Sequence, residues 1–167
     1  MACTFCPKCG TRLEARSIDG RERPACPQCD FVDYENAKPC VGVLVVDEGK
    51  VLLVERGIEP FKGYWDIPGG FLDSDEHPAD AAKREMAEET GLLVEPGEVL
   101  DFWMDTYGDE DFTTLNICYL ARLAGGEAKA GSDATRIEWF PLDNLPRNIA
   151  FNWERAALEK LRDRLRR

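Results

Sequence analysis

The stretch Gly70–Leu92, GFLDSDEHPADAAKREMAEETGL, constrains this chain more than any other. It opens on a glycine turn and runs into a helix. Pro78 suits the first helical turn, an alanine-rich run propagates it, and Gly91 is a good C-terminal stop. Near the end of that helix sit Glu85, Glu88 and Glu89. Residues three and four apart share one helix face, so three carboxylates crowd into a single turn. On an isolated helix each like-charge pair costs about 0.2–0.5 kcal/mol. A solvated acidic face is the plain explanation of such a cluster. A bound cation is the other, and the residues around the cluster favour it.

The rest of the chain supplies a frame for this stretch. Its 167 residues suffice for one good core, or for a small module plus one domain. No apolar run approaches the roughly 20 residues of a membrane span. The start, MACTFCPKCG, lacks the apolar core of a signal peptide, so a cytoplasmic protein is expected. The formal net charge is −11. Residues 1–40 hold six basic and six acidic side chains, so the whole acidic excess lies beyond residue 40. That surface is poorly suited to nucleic acid, whose binding rests on Lys and Arg neutralising phosphates. A phosphate-bearing small molecule is still compatible with it, because bound divalent cations invert the local charge logic.

Two CxxC knuckles, Cys6-Pro-Lys-Cys9 and Cys26-Pro-Gln-Cys29, stand 16 residues apart. Four thiolates so spaced suit tetrahedral Zn²⁺; two disulfides are the alternative, disfavoured in a reducing compartment. The intervening GTRLEARSIDGRERPA has a turn signal at Asp19-Gly20 and reads as a hairpin. With so few apolar residues the module would draw its stability from the metal. Cys3 adds a third CxxC and competes with Cys9; Cys6, Cys9, Cys26 and Cys29 are the expected ligands. A structural or dimer-forming role is expected of the module, with a homodimer left open.

After the polar connector 32–39, Val41–Val46 and Val51–Val54 read as a hairpin around Asp47–Lys50. Strand segments follow the box helix at Leu92–Val94, Val99–Met104, Phe112–Leu123 and Ile137–Phe140. Asn152 is the expected cap of a final helix, with Arg162, Arg164, Arg166 and Arg167 at its negative end. Strands divided by one central and one terminal helix give an α/β sandwich.

Glycine, five residues, Glu76, seven residues, then Arg84-Glu85-Met86-Ala87-Glu88-Glu89-Thr90-Gly91-Leu92 resembles the Nudix box at every specified position. The resemblance covers about residues 38–160 and implies a Nudix-type α/β/α sandwich with a mixed sheet. A zinc ribbon at 1–37 would precede a Nudix domain at 38–167. It further implies that Glu85, Glu88 and Glu89 bind Mg²⁺ or Mn²⁺ and carry the catalysis, with a carbonyl ligand from Gly69 or Gly70. Hard cations of this kind prefer carboxylate and carbonyl oxygens. Glu76 and Arg84 look like an ion pair fixing the loop against the helix. The implied reaction is attack of a metal-activated water on a nucleoside diphosphate linked to another group. The general base is one of the box glutamates or one of Asp109, Glu110, Asp111 and Asp133. His77 reads as a surface residue at the start of the helix.

The box grips only the pyrophosphate, so the flanks must indicate the substrate. NADH pyrophosphatases share the layout but carry an SQPWPFP-like array, which EPGEVLDFWMDTYGDEDF lacks. The segments ERGIEPFKGYWDIPGGFL and RIEWFPLDNLPRNIAF instead resemble smaller ribbon-bearing members that act on ADP-ribose or FAD. A nucleoside diphosphate derivative is therefore expected, with Trp65, Phe102, Trp103 and Tyr107 as stacking faces. Two readings compete: hydrolysis of oxidised nucleoside triphosphates, and an adaptor that keeps the fold without the activity. The unbroken box speaks against the adaptor.

Overall fold

The computed structural model describes residues 3–108, 112–131 and 133–166. Strands β1 (Glu14–Ile18) and β2 (Arg21–Ala25) form an antiparallel hairpin. Its two-residue turn, Asp19-Gly20, is left-handed at both positions (φ 51° and 76°), as the twist of a tight hairpin demands.

Alternation then dictates the main sheet. In β3 (Lys38–Asp47), Val41, Val43 and Val45 join one core cluster and Leu44 the other. Strand β4 (Lys50–Arg56) divides likewise, Leu52 to one face and Val51 and Leu53 to the other. Two short strands, β5 (Trp65–Asp66) and β6 (Gly69–Phe71), pair with β4 and β3 respectively. Helix α1 (Pro78–Thr90) is the box helix. His77 is its N-cap, accepting the Ala79 N–H on Nδ1 at 3.2 Å, and Gly91 ends it at φ 68°.

The segments expected at Leu92–Val94 and Val99–Met104 are one strand, β7 (Leu92–Thr106). Register shifts around Pro96 let a residue without an N–H stay within it. Strand β8 (Thr113–Gly126) pairs antiparallel with β7 and parallel with β3, matching Lys38–Val45 to Thr114–Ala121. Strand β9 (Ala134–Pro141) runs along β4. The sheet is therefore mixed, in the order β5-β4-β3-β8-β7, with β6 on β3 and β9 on β4.

Helix α2 (Asn152–Leu165) closes the other face. Asn152, expected as its cap, is its first helical residue, and Phe151 holds the cap position. A phenyl ring cannot cap, so other carboxyl groups take the N–H groups there. Glu154 accepts from Phe151 at 3.3 Å and Asp105 from Trp153 at 3.0 Å. Arg162 and Arg164 lie in the last turn, as expected; Arg167 is outside the described residues.

Two buried clusters lie on opposite faces of the sheet. On one, Ala81, Ala82 and Met86 of α1 pack on Val41, Val43, Val45 and Leu52. On the other, Trp153, Ala157, Leu158 and Leu161 of α2 pack on Leu44, Val51 and Leu53. The layers are α/β/α. Among the described residues no helix is long and apolar enough to cross a membrane.

Candidate active site

The turn Ile67–Gly70 meets α1 where the sheet opens. Gly69 donates its N–H to Glu89 Oε2 at 3.0 Å. A Cβ on Gly70 would stand 2.5 Å from Glu85 Oε1, and one on Gly69 only 2.1 Å from the Val41 carbonyl oxygen. Both positions require glycine for close approach, to a carboxylate in one case and to β3 in the other. Glu85 and Glu89 thus reach the same turn from successive helix turns, and both line a cavity of about 270 Å³. Glu88 is half-exposed and meets Arg84 Nη1 at 3.3 Å; it is absent from the cavity wall.

Arg84 binds Glu76 with both forks, Nε to Oε1 at 2.9 Å and Nη2 to Oε2 at 2.8 Å. It also donates to Glu85 at 2.7 Å and to the Phe71 carbonyl at 3.1 Å. The expected pair is therefore the centre of a network that ties the loop to the helix. Charge-assisted bidentate bonds of this kind are the strong ones. Arg84 holds the Glu76 carboxyl below the usual carboxylate range. Glu85 lies above it, because burial outweighs the same arginine. Glu89 is pushed up to about 9, first by burial and then by Asp66. Desolvated carboxylates packed together favour protons or cations. Their oxygens, with nearby carbonyls, are a donor set that fits a hard divalent ion.

The cavity also takes in groups that the sequence did not single out. Asp66 (8% exposed) is paired with Arg56, and Glu154 (0% exposed) reaches in from α2. Thr114 and Asn116 line it from β8, the Asn116 amide donating to Thr114 Oγ1 at 2.9 Å. These two continue the face of Cys118, and polar side chains on a buried face were the one available signal. Asp133 lies on the wall as well. Asp109, Glu110 and Asp111, the other acids named as candidate bases, fall outside the described residues.

Of the four expected stacking residues only Tyr107 lines the cavity. It stacks on Phe112 (5.5 Å, 17°) and Phe151 (5.5 Å, 23°), with Phe71 tilted against it at 5.3 Å. Trp65 is a core residue, 7% exposed and edge-on to Phe140 at 4.7 Å. The bridge to Ile149 draws it inward. Trp103 tilts against Trp153, and Phe102 is 58% exposed on β7; neither is on the cavity wall.

Flanking the N-terminal hairpin, the Sγ atoms of Cys6, Cys9, Cys26 and Cys29 all lie within 4.8 Å of one another. Cys6 and Cys29 are 3.6 Å apart, Cys9 and Cys26 3.5 Å. These separations are far beyond a disulfide bond of about 2.05 Å. They approach the roughly 3.8 Å edge of a tetrahedron whose Zn–S bonds are about 2.3 Å. Cys3 is exposed and outside the cluster, its N–H bonded to Asp33.

Comparison with known proteins follows the same division. The Nudix N-terminal zinc-ribbon family matches residues 4–35. An ADP-ribose pyrophosphatase of Methanocaldococcus jannaschii is 36% identical over 126 residues, 74% of each chain. A NUDIX hydrolase from Nitrosomonas europaea superposes with a TM-score of 0.75 at 29% identity, over 90% of this chain and 85% of that one. The NUDIX domain of Shewanella oneidensis NrtR, solved with ADP ribose, gives 0.63 at 27% identity, over 79% and 90%. NAD-capped RNA hydrolases also match, at 29% identity over 85% of this chain for that of Stutzerimonas stutzeri, but the chain spans about half their length. The NUDIX domain family itself matches residues 37–161, and with the box carboxylates gathered at the glycine turn, this chain belongs to the Nudix hydrolases.

Proposed function

We propose that this Nudix hydrolase cleaves the pyrophosphate bond of a nucleoside diphosphate derivative, ADP-ribose first and FAD second, with Mg²⁺ or Mn²⁺ held by Glu85, Glu88, Glu89 and a carbonyl of Gly69 or Gly70. The observation that carries this reading is the meeting of two desolvated carboxyl groups with the glycine turn on one cavity wall. Bound divalent cations supply a water of lowered pKa and neutralise charge on the leaving phosphate. The chain's own groups do the rest. Glu85 and Glu89 present oxygens into the cavity, Arg56 brings a cation to its wall, and Asp133, one of the candidate bases alongside the box glutamates, stands there too. Phe71, exposed beside Tyr107 on the cavity wall, offers an aromatic face to a base or sugar. Water oxygen joins one phosphorus, the P–O–P bond breaks, and two phosphate monoesters leave. The resemblance to the ADP-ribose pyrophosphatase supports the choice of substrate.

The cysteine cluster is assigned to structural Zn²⁺, with the ribbon at 1–37 and the Nudix domain at 38–167. The protein is read as cytoplasmic, where four thiols stay reduced, and a homodimer is compatible with the ribbon's role. The deciding experiment offers ADP-ribose, FAD, NADH, diadenosine polyphosphates and oxidised dNTPs with Mg²⁺ or Mn²⁺. AMP plus ribose 5-phosphate from ADP-ribose, at the highest kcat/KM, is the expected result. Release of inorganic pyrophosphate from triphosphates would refute the substrate class, and absence of all turnover would favour the adaptor. Glu89→Gln is expected to remove most turnover without unfolding the chain; near-native kcat in that variant refutes the metal assignment.

A further inference from the structure

Glu154 lies 87 residues from Ile67 in sequence, yet its Oε1 accepts the Ile67 N–H at 3.1 Å. The surrounding backbone accounts for this bond. Trp65 donates to the Asn148 carbonyl at 2.9 Å and accepts the Ala150 N–H at 2.8 Å, which makes a parallel bridge with Ile149. In a continued parallel ladder the next N–H, that of Ile67, would find the carbonyl of Ala150. The chain turns into α2 there, and a side-chain oxygen stands in for the missing carbonyl. Two residues further on, Gly69 donates to Glu89. The turn Ile67–Gly70 is thus held by a carboxyl group from each helix, Glu154 of α2 and Glu89 of α1.

We propose that Glu154 is a positioning residue for hydrolysis: wedged between Asp66 and the Ile67 N–H, it fixes the turn against which Glu85 and Glu89 are aligned. The proposal rests on the metal-dependent reading given above. Burial, and Asp66 beside it, hold the Glu154 carboxyl well above the ordinary range. That environment favours its neutral form beside Asp66, whose other partner is Arg56. Glutamine can imitate that neutral state with a carbonyl for Ile67 and an N–H for Asp66, giving up only the longer 3.3 Å bond that Oε2 accepts from the Phe151 N–H. Leucine of similar volume can imitate neither.

The test compares wild type, E154L and E154Q in the full chain. Three readouts are used: Mn²⁺ affinity by electron paramagnetic resonance, amide exchange at Ile67 and Gly69 without metal, and kcat and KM for ADP-ribose. E154L is expected to weaken Mn²⁺ binding and lower kcat by roughly 10–100-fold, the usual effect of losing a group that orients metal ligands. Exchange at Ile67 and Gly69 accelerates in that variant, and E154Q recovers part of each loss. A purely structural role would lower Tm and leave Mn²⁺ affinity and kcat of the folded fraction unchanged; that result overturns the proposal. So does an E154Q as impaired as E154L. If E154L fails to fold, E154D, which withdraws the carboxyl by one methylene, replaces it, with the same weakening expected and unchanged Mn²⁺ affinity refuting. Wild type that binds Mn²⁺ but turns over no substrate refutes the proposed function alone, while wild type without Mn²⁺ binding overturns both.

Discussion

Gly70→Ala separates the two demands placed on the glycine turn. A Cβ at position 70 would meet Glu85 at 2.5 Å (Oε1), 2.7 Å (Cδ) and 2.9 Å (Oε2). All three atoms belong to the end of a flexible side chain, so the carboxylate can retreat to an ordinary contact of 3.4 Å. The fold absorbs the methyl, and the loss of a glycine from the unfolded chain returns about 0.4–1 kcal/mol. The displaced carboxylate, however, leaves the position it shares with the Arg84 guanidinium at 2.7 Å. A misplacement near 1 Å in a reacting constellation costs on the order of 100-fold, about 2.7 kcal/mol of barrier. G70A is therefore expected to melt within a few degrees of wild type while kcat/KM for ADP-ribose falls about 100-fold. Differential scanning fluorimetry and steady-state kinetics at saturating Mg²⁺ decide it. The control is G69A, whose Cβ would strike the Val41 carbonyl at 2.1 Å. A backbone atom cannot swing away, so stability falls by on the order of 1–3 kcal/mol. A stable G70A with native kcat/KM would refute the alignment of Glu85, and an unfolded one would refute the claim that its side chain yields.

Other perturbations probe separate parts. Because Glu89 without metal titrates at about 9, Mg²⁺ binding at pH 7 is expected to release close to one proton. Calorimetry in two buffers of different ionisation enthalpy measures it; a heat independent of buffer contradicts the assignment. The linked stability has a definite sign. A raised carboxyl favours the metal-free fold below its ordinary value of 4.5, and that contribution is lost as pH rises towards about 9. Arg56→Met leaves the buried Asp66 without its cation and is expected to cost roughly 3–5 kcal/mol. Asp66→Asn in the same chain recovers part of that loss in chemical denaturation; no recovery argues against the pair. A strong zinc chelator is expected to abolish amide protection in the hairpin Glu14–Ala25, since metal binding supplies the stability of such modules. Protection that survives chelation refutes the zinc assignment.

The box was legible because every part of it is local. A glycine turn, Pro78 and a 3.6-residue period fix where Glu85 and Glu89 point, whatever surrounds them. The Asp19-Gly20 hairpin and the alternating valines of β3 were legible for the same reason. Glu154 was not, since a lone acid in an amphipathic helix reads as solvent-facing until α2 is laid against Ile67. Trp65 is the opposite case. An aromatic beside a glycine turn suggests a stacking face, and only the pairing with Ile149 and Phe140 shows that it is core. The EPGE stretch reads locally as a break between two strands; the bulges that carry Pro96 through β7 depend on a partner strand the local sequence does not reveal.

The two faces of the sheet have a consequence for how such an enzyme diversifies. The helix bearing the box is seated in one cluster, with Val41, Val43 and Met86. Tyr107 and Phe151, which frame the cavity mouth, belong to the other, with Trp153 and Leu158. The sheet separates the two packing clusters, and α2 reaches the turn beside the box through the Glu154–Ile67 bond. Substitutions around Tyr107 can therefore remodel the cavity to admit a different leaving group without disturbing the seat of α1, so long as Glu154 stays in place, and one hydrolytic engine can be inherited through many changes of diet.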